Sequence, residues 1–271
     1  MDAFGAVRVR LPLSGGVFGG IALDEEGRTL FEADADQVFP AASVIKLPVL
    51  MALYAEAAAG RLSLAEQAPV GDPVDGSGVL RFSADLKTLS LRDHALLMIS
   101  VSDNTAANRL IERIGVEAIN RWMREWGCVK SVLGRRLYDF AARARGLENL
   151  MTPRETGGLL LRLLRGEVVD RATGDAVIAV LERCEDATML KRYLGNEVRL
   201  AHKSGWIDGV RSDAGIVWGD RPVVVAGFTK ELPSPDPART LLGLLGWCAY
   251  RVGGGKVPPL PLEAGMSHDA T

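Results

Sequence analysis

The order of secondary-structure patterns limits the fold of this chain of 271 residues more than any other feature. Two strand patterns come first, over residues 17–23 and 28–33, and the tight turn Asp24-Glu25-Glu26-Gly27 joins them. The pattern is then helical from about Ser43 to about Glu197, before three more strand patterns and a last helix. Because both ends of the chain supply strands, we expect them to share one sheet, while the middle forms a helical lobe.

The expected fold class is α+β with two lobes: a five-stranded antiparallel sheet flanked by helices, and an all-helical lobe. Residues 1–42 and 200–255 would form the lobe that contains the sheet and the terminal helix, and residues 43–199 the helical lobe. Residues 256–271 contain three prolines and would form a loosely held tail.

Composition excludes several classes of protein. With 32 Lys and Arg against 34 Asp and Glu, the chain has no basic excess, so a nucleic-acid partner is not expected. Cys128, Cys184 and Cys248 stand far apart, as do the three histidines, which argues against a disulfide framework or a zinc site. We expect no metal or cofactor, and three small buried thiols in a reducing compartment.

The uncharged run from Leu11 to Leu23 follows two arginines and faintly resembles a secretion signal. Four glycines interrupt it, no small-residue cleavage site follows, and it is too short to span a bilayer. We therefore expect a cytoplasmic protein for the chain as given, or a secreted or periplasmic one if a leader has been trimmed. We also expect a monomer with a small-molecule substrate and no membrane partner.

Three short motifs occur once each, in one order. Ser43-Val44-Ile45-Lys46 is the only S-x-x-K sequence, Ser102-Asp103-Asn104 the only S-x-N, and Lys203-Ser204-Gly205 the only K-[ST]-G. Each motif alone is weak evidence. The composition predicts all three together by chance with a frequency of roughly 0.005, even before their order is considered, so the set points to a function.

The first motif opens a stretch, Ser43 to Ala59, that is apolar on nearly every side and therefore predicts a buried helix. Ser43 and Lys46 would lie on one face of it, within reach of each other. A serine hydroxyl is a weak nucleophile until a base takes its proton, and a desolvated lysine can be that base. The helix N-terminus would also direct the Ser43 backbone N–H at a developing oxyanion. The alternative is a solvated surface lysine.

The second and third motifs fall where side chains can line a cleft. Ser102 lies in the connection between a helix that ends near Ile99 and one that begins near Thr105. The Lys203-Ser204-Gly205 motif lies on a strand, where the glycine would let a ligand backbone approach closely. Considered singly, Ser102 could be a helix cap and the third motif an ordinary strand end.

This set of motifs resembles the signature of class A β-lactamases and penicillin-binding proteins, in the superfamily of penicillin-recognising β-lactamases and D,D-peptidases. The likeness runs from about Val17 to Val252, and includes residues 75–80 and Asn149 with Thr152-Pro153. It implies a two-lobed fold with the site between the lobes. The short run before the first strand leaves little room for the family's usual N-terminal helix.

The resemblance implies a serine hydrolase that works through an acyl-enzyme. Ser43 would attack a carbonyl and become acylated, with Lys46 as a candidate proton acceptor. Ser102 would relay a proton to the leaving nitrogen. The backbone N–H groups of Ser43 and Trp206 would form the oxyanion hole.

The resemblance also implies residues that bind the substrate. Lys203 and Ser204 would hold a substrate carboxylate beside Gly205, and Asn104 would bind Lys46 or a substrate amide. Arg211 is a further candidate for the carboxylate, with a solvated loop arginine as the alternative.

The resemblance breaks at deacylation. Class A β-lactamases activate the deacylating water with a loop glutamate four residues before an asparagine. Here Asn149 is the obvious match, but Arg145 stands four residues earlier. Glu148 is a candidate replacement base, or else a surface acid, and without a carboxylate in register an acyl-enzyme could persist.

Three hypotheses remain open. The first is a serine hydrolase that opens β-lactam amides, with weak or moderate turnover. The second is an esterase or D,D-peptidase-like amidase of the same fold, acting on a substrate such as a peptide that ends in a carboxylate. The third is an inactive binding module that kept the cleft, against which the complete set of motif side chains argues.

Overall fold

Strands from both ends of the chain pair in one sheet in this computed structural model, which describes residues 3–11 and 15–256. The described strands are β1 (Val17–Leu23), β2 (Thr29–Ala33), β3 (Phe39–Pro40), β4 (Gln67–Pro69), β5 (Thr88–Ser90), β6 (Leu150–Met151), β7 (Leu200–Ile207), β8 (Val210–Trp218) and β9 (Pro222–Lys230). Five of them form an antiparallel sheet in the order β2-β1-β9-β8-β7. The predicted α+β class and five-stranded sheet are therefore confirmed.

Helices account for about half of the remaining described chain. The described α-helices are α1 (Gly5–Arg8), α2 (Lys46–Ala58), α3 (Leu91–Ser100), α4 (Asn104–Ile114), α5 (Val116–Glu125), α6 (Phe140–Ala144), α7 (Pro153–Arg165), α8 (Arg171–Leu181) and α9 (Asp236–Val252). Short 3-10 helices lie at Ala42–Ile45 and Leu80–Phe82. The helix before β1 has only four residues, in line with the short run there. No helix among the described residues is both long and apolar enough to span a bilayer.

Helices α3, α7 and α8 each begin at a side-chain cap. The side chains of Ser90, Thr152 and Asp170 each accept a hydrogen bond from a backbone N–H three residues on. Such caps satisfy N–H groups that have no partner inside the helix. Pro153 occupies the first position of α7, and Gly166 ends that helix in the left-handed conformation.

The buried helix that was expected from Ser43 to Ala59 is present, but its first turn has a different geometry. Ala42–Ile45 form a 3-10 turn, and the α-helix proper begins at Lys46. Residues 46–56 are all buried, because α4, α5 and α8 pack around α2. The first motif therefore lies at the beginning of the central helix α2, where the helical region meets the sheet.

The sheet is covered on both faces. Ile21 belongs to the larger hydrophobic cluster, which contains α2 and α7, whereas its neighbour Ala22 belongs to the cluster around α9. Because successive residues of a strand point to opposite faces, α7 and α9 lie on opposite sides of the sheet. The lobe boundaries at 42/43 and 199/200 stay a prediction. The expected tail lies almost wholly outside the described residues.

Candidate active site

The backbone of Ser43 lies directly against strand β7. A Cβ atom added at Gly205 would be 2.6 Å from the Ser43 backbone N and 2.9 Å from that of Val44. Real Cβ atoms do not approach so closely, so glycine is required there. The turn that carries Ser43 fills the space where a side chain at this position would lie, and the close approach of a ligand backbone to Gly205 stays a prediction. Trp206 is the next residue of β7, so it also lies beside this turn.

Lys46 is completely buried, which rules out a solvated surface lysine. Its Nζ lies 2.7 Å from the carbonyl oxygen of Ser102, 3.0 Å from the Ser102 Oγ and 2.7 Å from the Asn104 Oδ1. Burial, together with the positive charge of Lys203, holds the pKa of the Lys46 ammonium well below its ordinary value. The first two motifs are therefore joined through one buried amine.

Ser102 is held in a strained conformation between α3 and α4, with a φ of 55°. A non-glycine residue in this region costs energy and is found where surrounding contacts enforce it. The helix cap is its neighbour Asp103, whose Oδ1 accepts from the Ala106 N–H, so the reading of Ser102 as a cap is wrong. Strain and the contact with Lys46 together fix the hydroxyl of Ser102.

Asp103 and Asn104 fasten a second loop to this site. The Asp103 Oδ2 accepts hydrogen bonds from the backbone N–H groups of Val79 and Leu80, at 2.7 and 2.8 Å. The Asn104 Nδ2 donates to the carbonyl oxygen of Asp75. Sequence reasoning assigned no role to Asp103, although its capping pattern was a signal that could have identified it.

The third motif meets the first two in one cavity of about 420 Å³. Lys203 is 1% exposed and donates from Nζ to the carbonyl oxygen of Ser204 at 2.8 Å. The cavity is lined by Ser43, Ser102, Lys203, Ser204 and Trp206, with further residues from the α8–β7 connection. Each motif thus contributes side chains to the same space.

Two arginines also line this cavity. Arg211 lies on β8, not in a loop, and donates from Nη1 to the carbonyl oxygens of Ile207 and Val210. Burial, reinforced by the charge of Arg239, lowers the pKa of Arg211. The Nε atoms of both arginines are buried without a hydrogen-bond partner in the described structure. Sequence reasoning missed Arg239, which α9 brings to the cavity from far along the chain.

A second cavity, of about 270 Å³, lies on the other side of Ser43. Glu148 lines it, but its carboxylate lies 2.7 Å from the Arg135 guanidinium and 3.4 Å from that of Arg143. It also accepts from the Asn149 N–H. The Asn149 Oδ1 accepts from the backbone N–H groups of Gly134 and Arg135, so this side chain closes the loop. Arg145 is exposed and is not among the residues that line this cavity.

Leu137 occupies this second cavity together with Ser43. Its backbone is fixed at both polar groups, because the Asn108 Oδ1 accepts from the Leu137 N–H and the Asn108 Nδ2 donates to the Leu137 carbonyl oxygen. A leucine carries no chemical signal, so sequence reasoning missed it. A larger cavity, of about 660 Å³, lies beyond Leu137 and contains none of the motif residues.

Comparison with known proteins gives one consistent family. A model described as "Beta-lactamase enzyme family" matches residues 9–252. A β-lactamase of Rhodobacter capsulatus is 34% identical over 140 residues, which is 49% of this chain and about half, 47%, of that relative. Beta-lactamase L2 of Stenotrophomonas maltophilia is 27% identical over 247 residues, covering 88% of this chain and 81% of the relative.

Solved structures give the same result. A β-lactamase of Sphaerobacter thermophilus superposes with a TM-score of 0.85 and 30% identity, covering 95% of this chain and 99% of that one. PBP-A superposes with a TM-score of 0.82 and 28% identity, covering 93% and 96%. A variant of PBP-A has been solved as an acyl-enzyme complex with penicillin G, and it superposes with a TM-score of 0.81.

Proposed function

This chain belongs to the beta-lactamase enzyme family, and we propose that it is a serine hydrolase that opens β-lactam amides through an acyl-enzyme on Ser43. The observation that carries the proposal is the buried amine of Lys46, the residue three positions after the candidate nucleophile Ser43. This amine contacts both Ser102 and Asn104. A lowered pKa makes the neutral amine of Lys46 more accessible, and this form has a lone pair for the serine proton.

Acylation then follows from these contacts. The Ser43 Oγ attacks the amide carbonyl while Lys46 accepts its proton, and the oxyanion is bound by the backbone N–H groups of Ser43 and Trp206. The ammonium that results has three protons to donate, to the Ser102 carbonyl oxygen, the Ser102 Oγ and the Asn104 Oδ1. Ser102 thereby passes a proton to the leaving nitrogen.

The substrate side of the cavity suits a carboxylate. Lys203 contributes a buried positive charge, Ser204 a hydroxyl, and Arg211 and Arg239 further positive charge at the same cavity. Hydrogen bonds between such cations and a carboxylate are among the strong ones in proteins. We propose that the carboxylate of a penicillin lies here, beside Gly205, with its reactive carbonyl at Ser43.

Deacylation is proposed to be slow. Glu148 and Asp208 are the carboxylates that line the second cavity. Asp208 lies in the turn between β7 and β8, and two arginines and the Asn149 N–H already occupy the oxygens of Glu148. Glu148 would have to break these contacts to reach a hydrolytic water. The hydrolytic water would therefore lack an efficient base, and Asn149 is committed to the loop.

A second candidate function is supported by the same feature. An enzyme that forms an acyl-enzyme without a base for rapid hydrolysis suits a D,D-peptidase-like amidase or an esterase, and PBP-A covers as much of this chain as most of the β-lactamase neighbours do. Its substrate would be a peptide or ester that ends in a carboxylate.

The first test is an intact-mass time course with benzylpenicillin, comparing the wild type with Ser43→Ala. We expect an adduct of one penicillin that forms with the wild type, is absent from the variant and decays slowly. Peptide mapping should place the adduct on Ser43.

The outcomes separate the hypotheses. If the adduct is hydrolysed rapidly while penicillin is used up, the protein is an efficient β-lactamase. That result would contradict slow deacylation. If no adduct forms with penicillin but one forms with a thioester that bears a carboxylate, the second candidate is favoured. No adduct with either reagent would overturn the serine hydrolase and favour a binding module.

A further inference from the structure

Cys184 lies on the wall of the catalytic cavity, where the proposed reaction does not use it. It follows α8 and lines the 420 Å³ cavity together with Ser43, Ser102 and Lys203. Its thiol is buried against strand β7. A ligand that fills the cavity would therefore contact the sulfur atom.

A buried histidine and aspartate stand behind this cysteine. The His202 Nδ1 lies 3.0 Å from the Asp213 Oδ1, and both residues are at most 1% exposed. The second ring nitrogen, Nε2, is buried, and the ring interacts with the Cys184 thiol through charge and a side-chain hydrogen bond. The imidazole and the thiol are therefore direct partners.

The charges of the cluster favour a thiolate. Burial opposes the imidazolium of His202, but Asp213 and Cys184 outweigh it and raise the His202 pKa well above its ordinary value. Burial likewise raises the pKa of the Cys184 thiol, but the charges of His202 and Lys203 outweigh it and lower that pKa to about 6. Reactive cysteines have this combination of a nearby cation and a depressed pKa.

We propose that Cys184 is a covalent modification site inside the catalytic cavity, and that it reacts with small disulfides that bear a carboxylate. The Cys184 sulfur attacks one sulfur of the disulfide, a new S–S bond forms, and the other half leaves as a thiolate. Cys184 is oxidised and the leaving sulfur is reduced, so the reagent disulfide is the oxidant and no other is needed. Reduction by an external dithiol reverses the step.

The preference for a carboxylate follows from the wall of the cavity. Lys203, Arg211 and Arg239 line it. Two carboxylates also line it: Asp186 is already bonded to the N–H and hydroxyl of Thr188 at 2.8 and 2.6 Å, and Glu185 is exposed to solvent. A bound carboxylate could pair with these cations, whereas a bound ammonium group would be repelled by three positive charges.

Modification would also regulate the proposed reaction. A group attached to Cys184 occupies the space beside Lys203 and Ser204, where the substrate carboxylate is proposed to bind. This second part of the inference rests on the proposed function, whereas the modification itself does not. Acylation of Ser43 should be lost in the modified protein and return after reduction.

The experiment treats the full chain with dithiodiglycolate, a small anionic disulfide, or with cystamine, a small cationic one. Intact mass and peptide mapping at pH 7 follow the addition of one mercaptoacetate or cysteamine group. We expect Cys184 to react first, and faster with the anionic reagent. Cys128 is the matched control, since burial raises the pKa of its thiol to about 12. It should react on the order of a hundredfold more slowly.

Three variants locate the effect. Cys128→Ser should be modified at the wild-type rate, Cys184→Ser should lose the fast adduct, and Ser43→Ala should still form it. First reaction at another cysteine would overturn the modification site, and equal rates with both reagents would overturn the preference for a carboxylate. An adduct at Cys184 that leaves penicillin acylation unchanged would overturn the regulatory part alone. The mass readout of Cys184 modification does not need Ser43. Failure of the proposed function can therefore be distinguished from failure of the modification site.

Discussion

Among individual residues, Lys46 has the chemistry that depends most on its surroundings. Desolvation disfavours its ammonium, and a nearby positive charge adds to this effect. Its pKa is lowered, so the neutral amine becomes abundant at a lower pH than for an ordinary lysine. A base of this kind is inactive while protonated, and acylation should therefore rise with pH through the lowered pKa and level off above it.

We expect Lys46→Arg to abolish this base, because a guanidinium does not deprotonate in proteins. General-base catalysis typically contributes about 10²- to 10⁴-fold, so acylation by penicillin should fall by that order. The control is Lys87→Arg, an exposed site whose ammonium contacts only a neighbouring backbone carbonyl in the described structure. Stopped-flow acylation across a pH series is the measurement. Wild-type kinetics in Lys46→Arg would remove Lys46 from the mechanism.

Leu137 is the second residue whose chemistry can be changed at one point. Its side chain shares a cavity with Ser43 and its backbone is pinned by Asn108. We expect Leu137→Glu to place a carboxylate near the acyl bond and shorten the lifetime of the penicillin adduct by at least about tenfold.

The matched control for that change is Leu147→Glu. Leu147 is exposed on the same segment and does not line the cavity of Ser43. The decay of the adduct is followed by intact mass after removal of free drug. Equal lifetimes in Leu137→Glu and Leu147→Glu would mean that the missing base does not limit deacylation.

The residues that could be predicted from the sequence are those with a chemical signature. Ser43, Lys46, Ser102 and Lys203 carry reactive groups in short motifs. The structure brings Ser43, Ser102 and Lys203 to one cavity and places Lys46 against Ser102. Leu137 and Cys184 could not be assigned, because their importance comes from what lies beside them in space. Arg145 stands where the family's spacing would place the glutamate, but its side chain is exposed. The path of the loop, and not the number of residues, decides which side chain faces the cavity.

At the level of elements, the contact between the Ser43 turn and β7 sets the geometry of the site. The helix was predictable from its apolar pattern, and the capped helices from their polar starts. The 3-10 geometry of residues 42–45 was not, because it depends on the strand that lies against that turn. Local sequence preference does not contain that contact.

We expect Gly205→Ala to push the turn and the strand apart, because its Cβ would overlap the Ser43 and Val44 backbone. Overpacking of this kind costs about 1–3 kcal/mol of unfolding free energy. Acylation should slow more than stability alone would explain, since the oxyanion N–H groups move. The measurements are urea unfolding and penicillin acylation under conditions where the variant is fully folded.

The matched control is Gly158→Ala. Gly158 lies in α7 with open space where its Cβ would be, so the change should raise helix stability by about 1 kcal/mol and leave acylation unaltered. Unchanged acylation in Gly205→Ala would show that the close approach does not set the site.

For the whole molecule, the sheet and the helical region are joined at the site itself. Ser43 and Lys46 belong to the beginning of the central helix, and Lys203 belongs to a strand of the sheet. The order of elements was readable from the sequence because each has its own periodicity. The pairing of β1 with β9 could be expected only in outline, since its register is set by packing on both faces.

We expect the site and the fold to be lost together. In a urea titration, far-ultraviolet circular dichroism and the ability of Ser43 to be acylated should show one midpoint, because separating the lobes would expose the cluster that joins them. Loss of acylation at clearly lower urea than loss of helix would instead mean that the predicted lobes unfold independently.

The pairing of β1 with β9 has a consequence for synthesis of the protein. Strand β1 pairs with β9 residue by residue, from Val17 with Lys230 to Leu23 with Val224. The first long strand of the chain therefore cannot pair with β9 until nearly the whole chain has been made. Until residue 230 has left the ribosome, β1 lacks its neighbour β9. The sheet is then not continuous between β1 and β7, because β9 lies between them. A nascent chain that already displays all three motifs would still be unreactive, and penicillin would label only chains whose translation is nearly finished.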